Sequence, residues 1–376
     1  MGKKTIIACL SVPLLISLVA HAGATTHVHP REGASSPRPA LSSRIRLNAL
    51  TRIPLGGIMQ SLLVQGQDET KPVLLFLHGG PGVPIIPFVR DFDATGTLQQ
   101  HFVIAYWDQR GAGNSYHADI PPESMNIEQF LADTYELVEI LRDRFQTPKI
   151  YLVGHSWGSI LGILTVARHP ELFHAYVGIG QAVDLEKNEK ISYQFALDAA
   201  TKMDNQKALQ QLTAIGPPPY ANYKAMLRER KWVERFGGGR RSKRTDSLVP
   251  VGIGSTAEPT SAFPVVALDW LHGPYFSLEH LWDELQEVNL FQQAPTIDIP
   301  VYFLAGKYDY YAPSRLAYQY YRALEAPQGK TFVWFDHSAH APPAEEPQKF
   351  YDILVNHVLL ETYDRPDQSR DSRIPE

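Results

Sequence analysis

The order of hydrophobic patterns along this chain predicts an α/β architecture: a mostly parallel central sheet with helices on both faces and an inserted helical cap. Three observations carry this. Short apolar runs end in glycine-rich turns, as in strands buried on both faces. These runs alternate with stretches of helical spacing. The alternation lapses between residues 183 and 296, where the chain becomes helical and polar, and then resumes.

The chain has 376 residues and a net charge of -5, with 44% hydrophobic and 20% charged residues. This allows a substantial core and argues against nucleic acid as a partner, because phosphate binding needs a basic face. Residues 1–22 hold Lys3, Lys4, the apolar run IIACLSVPLLISLVA and Ala20-His21-Ala22. That pattern is a cleavable secretory signal cut after Ala22, so a secreted or periplasmic location is expected, with no stable membrane insertion after cleavage. The only cysteine, Cys9, falls within the signal. A mature chain without cysteine has no disulfide, no cysteine nucleophile and no thiolate metal site.

Residues 23–46 are rich in Ser, Pro and Ala and read as a flexible leader. The first part of the core spans 47–182. Its strands are KPVLLFLHGG, HFVIAYWDQRG, IYLVGHS and HAYVGIGQ, and its helices IEQFLADTYELVEILRDRF and WGSILGILTVARHPELF. The first helix carries an apolar stripe at Phe130, Leu131, Tyr135, Leu137, Val138 and Leu141. The helical cap at 183–296 opens with LEKNEKISYQFALDAATKM and includes the loop FGGGRRSKRTDSLVPVGIGSTAEPTS. Its basic cluster, Arg240, Arg241, Lys243 and Arg244, reads as a solvated loop. The second part of the core, 297–362, holds IPVYFLAGKYD, a helix from Pro313 to about Leu324, KTFVWF, and a final helix over 347–362. A flexible tail, 363–376, closes the chain.

The chemistry centres on GHSWG at 154–158, a G-x-S-x-G motif between a strand and a helix. Such a turn strains the serine backbone and presents Ser156 at the carboxyl end of the sheet, beside a helix N-terminus. A serine hydroxyl needs a base, and the acid and base follow it in the order Ser, Asp or Glu, His, at the ends of later strands. Asp309 ends VYFLAGKYD, and His340 follows KTFVWFDHSAH. Asp336 and His337 lie nearer the last strand, but His340 has loop enough to reach back to Ser156 and is preferred. HGGPG at 78–82 lets backbone N–H groups approach an oxyanion; Gly80 and Trp157 are the assigned donors.

HGGPG, DQRGAGNS at 108–115, GHSWGS, GKYD and SAHAPPAEEP together resemble the α/β-hydrolase proline iminopeptidase (prolyl aminopeptidase) family, over roughly residues 50–362. The resemblance implies an α/β-hydrolase fold, nucleophile Ser156, acid Asp309, base His340 and oxyanion donors Gly80 and Trp157. It makes DQRG a structural turn, with Asp108 and Arg110 expected to brace the HGGPG loop. The chain departs from the family's GGSWGS and DQRGCGRS by His155 and by Ala112-Gly113-Asn114, and no clear W-x-x-W-E occurs in the cap. Glu186, Glu189, Glu229 and Glu234 are the cap carboxylates available to pair with a substrate α-amine.

The expected function is a serine hydrolase acting through an acyl-enzyme on small amides or esters, with release of N-terminal proline from short peptides as the named activity. The alternatives are a secreted esterase or lactonase on small hydrophobic acyl substrates, and a non-catalytic binding protein of the same fold. No cofactor and no metal are called for, because the catalytic parts are complete without one. The expected partner is a small molecule or short peptide.

Overall fold

The computed structural model describes residues 41–241 and 272–363. The signal segment, the leader up to residue 40, Lys243, Arg244 and the tail beyond Tyr363 lie outside the described residues. Eight strands form one sheet: β1 (Ala49–Leu55), β2 (Ile58–Gln65), β3 (Val73–Leu77), β4 (Val103–Asp108), β5 (Ile150–His155), β6 (Phe173–Ile179), β7 (Val301–Gly306) and β8 (Lys330–Phe335). Their order is β1-β2-β4-β3-β5-β6-β7-β8. The β1–β2 and β2–β4 pairs are antiparallel, and every pair from β4–β3 to β7–β8 is parallel.

Alternate residues of the central strands enter two cores. Leu75, Leu77, Trp107 and Leu152 pack beneath helices α1 (Ile127–Phe145) and α2 (Trp157–Arg168). Leu74, Phe76, Tyr106 and Val153 face the other way, against Phe350, Leu354 and Val358 of the C-terminal helix. Burial on both faces is why these strands read as unbroken apolar runs. The C-terminal helix is α-helical over Pro347–Asp352, π-helical over Ile353–Leu359 and α-helical again over Leu360–Thr362.

The β1–β2 hairpin is not visible in the hydrophobic pattern. Strand β1 is an edge strand, half exposed, and carries Thr51, Arg52 and Pro54. Strand β2 buries two polar residues that break its apolar run. The Gln60 carboxamide bonds the Asp133 carboxylate at 2.7 Å and accepts from the Trp107 indole at 3.0 Å, and the Ser61 N–H donates to Ser115 Oγ at 2.7 Å. Packing also starts earlier than the expected leader boundary, since Leu41 and Ile45 are buried in the main core.

Between β6 and β7 the chain forms helices α3 (Leu185–Lys202), α4 (Gln206–Ile215), α5 (Tyr223–Arg235) and α6 (Gly273–Gln286), the inserted cap. Asp184 and Asn222 cap α3 and α5 by accepting from the Lys187 and Ala225 N–H groups. After β7, α7 (Ser314–Ala323) returns the chain to β8. Among the described residues no helix is long and apolar enough to cross a membrane.

Arg110 departs from its expected role. It does not brace the HGGPG loop. Its buried guanidinium pairs with both oxygens of Asp133 in α1, at 3.0 and 3.1 Å, and donates to the Gly56 carbonyl at 2.7 Å and to Ser124 Oγ at 3.0 Å. The last residues of β4 are thereby tied to α1 and to the β1–β2 turn. Removing one partner of a buried pair strands the other charge. Arg110→Met should therefore cost about 3–5 kcal/mol of unfolding free energy in urea denaturation, and Arg110→Met with Asp133→Leu should cost less than Arg110→Met alone.

Candidate active site

The parallel strands β3, β5, β7 and β8 end on one edge of the sheet, and the loops that leave them carry the residues singled out by the sequence. The sharpest turn is at Ser156, between β5 and α2. Its backbone sits at φ 55°, ψ -118°, a strained conformation for a residue with a side chain. The strain is held by close packing of backbone on backbone. A Cβ on Gly158 would lie 2.1 Å from the Leu77 carbonyl oxygen, and one on Gly154 would lie 2.3 Å from the Gly158 carbonyl oxygen. Only glycine lets α2 start so close to β3 and β5. The Ser156 N–H donates to the Ile179 carbonyl at 3.0 Å, and the Ser156 carbonyl accepts from the Ser159 N–H at 2.9 Å.

Asp309 and His340 come together across β7 and β8. Asp309 Oδ2 lies 2.8 Å from His340 Nδ1, with both side chains buried. The other oxygen, Oδ1, accepts from the Tyr311 and Ala312 N–H groups at 2.8 and 2.9 Å. The carboxylate is thus oriented by its own loop before it meets the ring. His340 and Ser156 line the same cavity, about 690 Å³ in volume, together with Gly80 and Trp157. Asp336 and His337, the nearer pair in sequence, are exposed. Asp336 pairs with Lys307 at 3.3 Å, and the His337 N–H donates to Glu346 at 3.0 Å.

Gly80 follows β3 at φ 123° and lines the cavity with Ser156. Trp157 is the first residue of α2, so its N–H is among the first-turn donors that have no acceptor within the helix. The two loops are cross-linked by Gln109. Its side chain donates to the His78 carbonyl at 3.1 Å and accepts from the Trp157 indole at 3.0 Å, while its backbone N–H donates to His78 Nε2 at 3.0 Å. His78 Nδ1–H in turn donates to the Gly79 carbonyl at 2.8 Å. Burial pushes the His78 imidazole down to about 4, which keeps it neutral and able to accept from Gln109. Asp108 braces the far end of the same loop, accepting from the Ile85 and Ile86 N–H groups at 2.8 and 3.1 Å and from Asn114 at 3.3 Å. Burial raises its carboxyl to about 6 against those three hydrogen bonds.

His155, the departure from the family pattern, is buried beside Ser156 in the chain. Its Nε2–H donates to the His340 carbonyl at 2.8 Å, and the two rings lie 4.8 Å apart. Burial, with the neighbouring His340, holds its imidazole down to about 3, so it is a permanently neutral donor. The sequence marks His155 only as a departure from the family pattern and gives Gln109 no role. The signal available was their position inside the two motifs, GHSWG and DQRG.

The cap closes the cavity from above with Leu185, Met226, Leu227, Leu278, Trp282 and Leu285. Its four candidate carboxylates fall in different places. Glu186 is exposed at the rim and pairs with Lys190. Glu229 is buried behind the wall, bonded to Arg230 at 2.7 Å and to Ser192 Oγ at 2.9 Å; burial raises it to about 7 against the pull of Arg230. Glu189 lines the cavity, with one oxygen 2.5 Å from Arg230 and the other, Oε2, buried without a hydrogen-bond partner. Glu234 also lines it and accepts from the Tyr311 hydroxyl at 3.2 Å. Burial raises the pKa of both, so each gains from a cation brought into the cavity.

The sequence profile of the α/β-hydrolase fold family matches residues 72–347. Over 312 residues the chain is 38% identical to a probable aminopeptidase, YbaC, of Bacillus subtilis (strain 168), covering 82% of this chain and 96% of that protein. A proline iminopeptidase of Lactobacillus acidophilus is 31% identical over 121 residues, 32% of this chain and 39% of the relative. The crystal structure of a proline iminopeptidase-related protein from Thermus thermophilus shares the fold, with a TM-score of 0.57 over 83% of this chain and 97% of that one at 18% identity.

The neutral burial of His155 has a consequence for stability. Unfolded, the ring takes a proton near its ordinary value of 6.5; folded, it refuses one until about 3. Its contribution is complete above pH 6.5 and is lost as the pH falls towards 3. The unfolding free energies of wild type and His155→Gln, measured in urea from pH 7 to pH 4, should therefore converge below pH 6.5, by up to about 1.4 kcal/mol per pH unit.

Proposed function

The chain belongs to the α/β-hydrolase fold family, and on that premise we propose that it is a serine hydrolase that releases N-terminal residues, proline foremost, from short peptides. The observation that carries the reading is the 2.8 Å contact of Asp309 with His340 Nδ1, on a ring that faces the same cavity as the strained Ser156. In this reading His340 Nε2 takes the Ser156 proton as Oγ attacks the substrate carbonyl. The N–H groups of Gly80 and Trp157 receive the oxyanion, and Asp309 stabilises the imidazolium. Collapse of the tetrahedral intermediate breaks the C–N bond, and the leaving amine takes the proton from His340. Water, deprotonated by the same ring, then hydrolyses the acyl-enzyme and regenerates Ser156.

Aminopeptidase specificity is supported by the acidic inner wall of the cap. Glu189 Oε2 is buried with its hydrogen-bonding capacity unspent, and Glu234 lines the same space. A protonated α-amine would satisfy both, and an N-acetylated one would not. The name of the Bacillus relative points the same way. A second reading, an esterase or lactonase, is favoured by the apolar cap wall and by Arg230, which already engages Glu189 and Glu229. The pattern at residues 1–22 supports export, which N-terminal sequencing of exported protein beginning at Gly23 would establish.

Ser156→Ala should lower kcat by at least about 10⁴-fold while leaving the melting temperature close to wild type, and should abolish labelling by a fluorophosphonate probe. Proline arylamide should be cleaved at least about 100-fold faster than its N-acetylated form, the scale of an uncompensated buried charge. Equal rates on the two, or fast p-nitrophenyl ester hydrolysis without amide cleavage, would replace the peptidase reading with the esterase one.

A further inference from the structure

The glycine run Gly237-Gly238-Gly239 follows the cap helix α5, and nothing in the substrate pocket accounts for it. Its carbonyls reach into the catalytic loops. The Tyr310 N–H, one residue after Asp309, donates to the Gly238 carbonyl at 2.8 Å, and the His340 N–H donates to the Gly239 carbonyl at 3.0 Å. Two successive cap carbonyls therefore hold the main chain beside the acid and at the base. The run is anchored to α5 in its turn: the Gly237 N–H donates to the Glu234 carbonyl at 3.0 Å and the Gly238 N–H to the Val233 carbonyl at 2.9 Å. The Tyr310 ring stacks on Phe195 of α3, with centroids 3.7 Å apart.

The approach leaves little room for a side chain. A Cβ on Gly238 would lie 2.6 Å from the Phe195 ring, and one on Gly239 would lie 2.1 Å from a Glu234 carboxylate oxygen and 2.8 Å from the Tyr311 ring. His340 itself is held at three points. The Gly239 carbonyl takes its N–H, His155 donates to its carbonyl, and Asp309 meets its ring. Of these three, only the first comes from the cap.

We propose that Gly238 and Gly239 form a strap that positions His340 and the Asp309 loop, so that the seating of the cap sets the alignment of the base as well as the choice of substrate. This rests on the serine-hydrolase reading above. A misplacement of about 1 Å between reacting groups can cost about 100-fold in rate. A strap shifted by one methyl group acts on that scale.

The test measures kcat and KM on the cleaved substrate, and the rate at which a small fluorophosphonate labels Ser156. The probe needs an aligned base but makes no use of the cap's carboxylates. Gly239→Ala should slow labelling and kcat together by at least about tenfold; because its Cβ meets the Glu234 carboxylate, KM is read on Gly238→Ala, where it should stay within about threefold of wild type. Gly238→Ala, directed at the Phe195 ring, carries the same test independently. Gly216→Ala is the control: it lies in the cap at φ 77° with open space around it, and labelling should stay at the wild-type rate. Wild-type labelling of both strap variants would overturn the proposal, leaving the glycines as a spacer between α5 and the catalytic loops. An equal loss of labelling in Gly216→Ala would also overturn it, because any disturbance of the cap would then suffice. Absence of labelling at Ser156 in the wild type would instead refute the hydrolase reading itself.

Discussion

Everything in the site depends on the contact of the first turn of α2 with the ends of β3 and β5. Backbone atoms meet there at distances that leave no room for a Cβ at Gly154 or Gly158. Strain of about 1–3 kcal/mol at Ser156 is tolerable only because this packing allows no alternative path for the chain. The same contact points the N-terminus of α2 at the cavity. The hydroxyl, the Trp157 N–H and the positive end of the helix dipole therefore arrive together. One steric constraint thus places both Ser156 and the first turn of α2 at the cavity.

Around that point the protein buries polar groups in mutually hydrogen-bonded arrangements. His78, Gln109 and the Trp157 indole form a chain of hydrogen bonds across three loops, and Asp108 collects three backbone donors. Keeping His78 and His155 uncharged means that each ring has one nitrogen to donate and one to accept. A charged His78 would lose the nitrogen that accepts from the Gln109 N–H. The fixed frame leaves Asp309–His340 as the ion-pair-capable couple facing Ser156.

The cap faces the opposite problem, because it carries charge into an apolar wall. Glu189, Arg230 and Glu229 are three ionisable groups with one cation among them; Glu229 is deeply buried, and Glu189 and Arg230 line the cavity. Such a cluster is stable when Arg230 serves both carboxylates, while burial works against ionising either of them. Tyr311 connects this cluster to the catalytic loops. Its ring lies 5.4 Å from that of His340 and beneath the Arg230 guanidinium, and its hydroxyl donates to Glu234. Glu234, Arg230 and His340 therefore meet around one tyrosine ring.

The strand–helix alternation, the inserted cap and the positions of Ser156, Asp309 and His340 were legible in the sequence, because each is written locally. Periodicity marks the elements, and the loop after a parallel strand lies at a known edge of the sheet. The β1–β2 hairpin was not legible, since its burial is shared with Gln60 and Ser61, whose partners lie 73 and 54 residues away. The direction taken by Arg110 was set by Asp133 in a later helix, not by the DQRG turn that contains it. The hold of Gly239 on His340 joins distant parts of the chain and uses only main-chain atoms. The sequence by itself determined which residues could do chemistry and on which edge they stand. What holds them there was decided only in the folded chain, because backbone hydrogen bonds and the partners of buried charges are chosen by proximity in space and leave no periodic trace in the sequence.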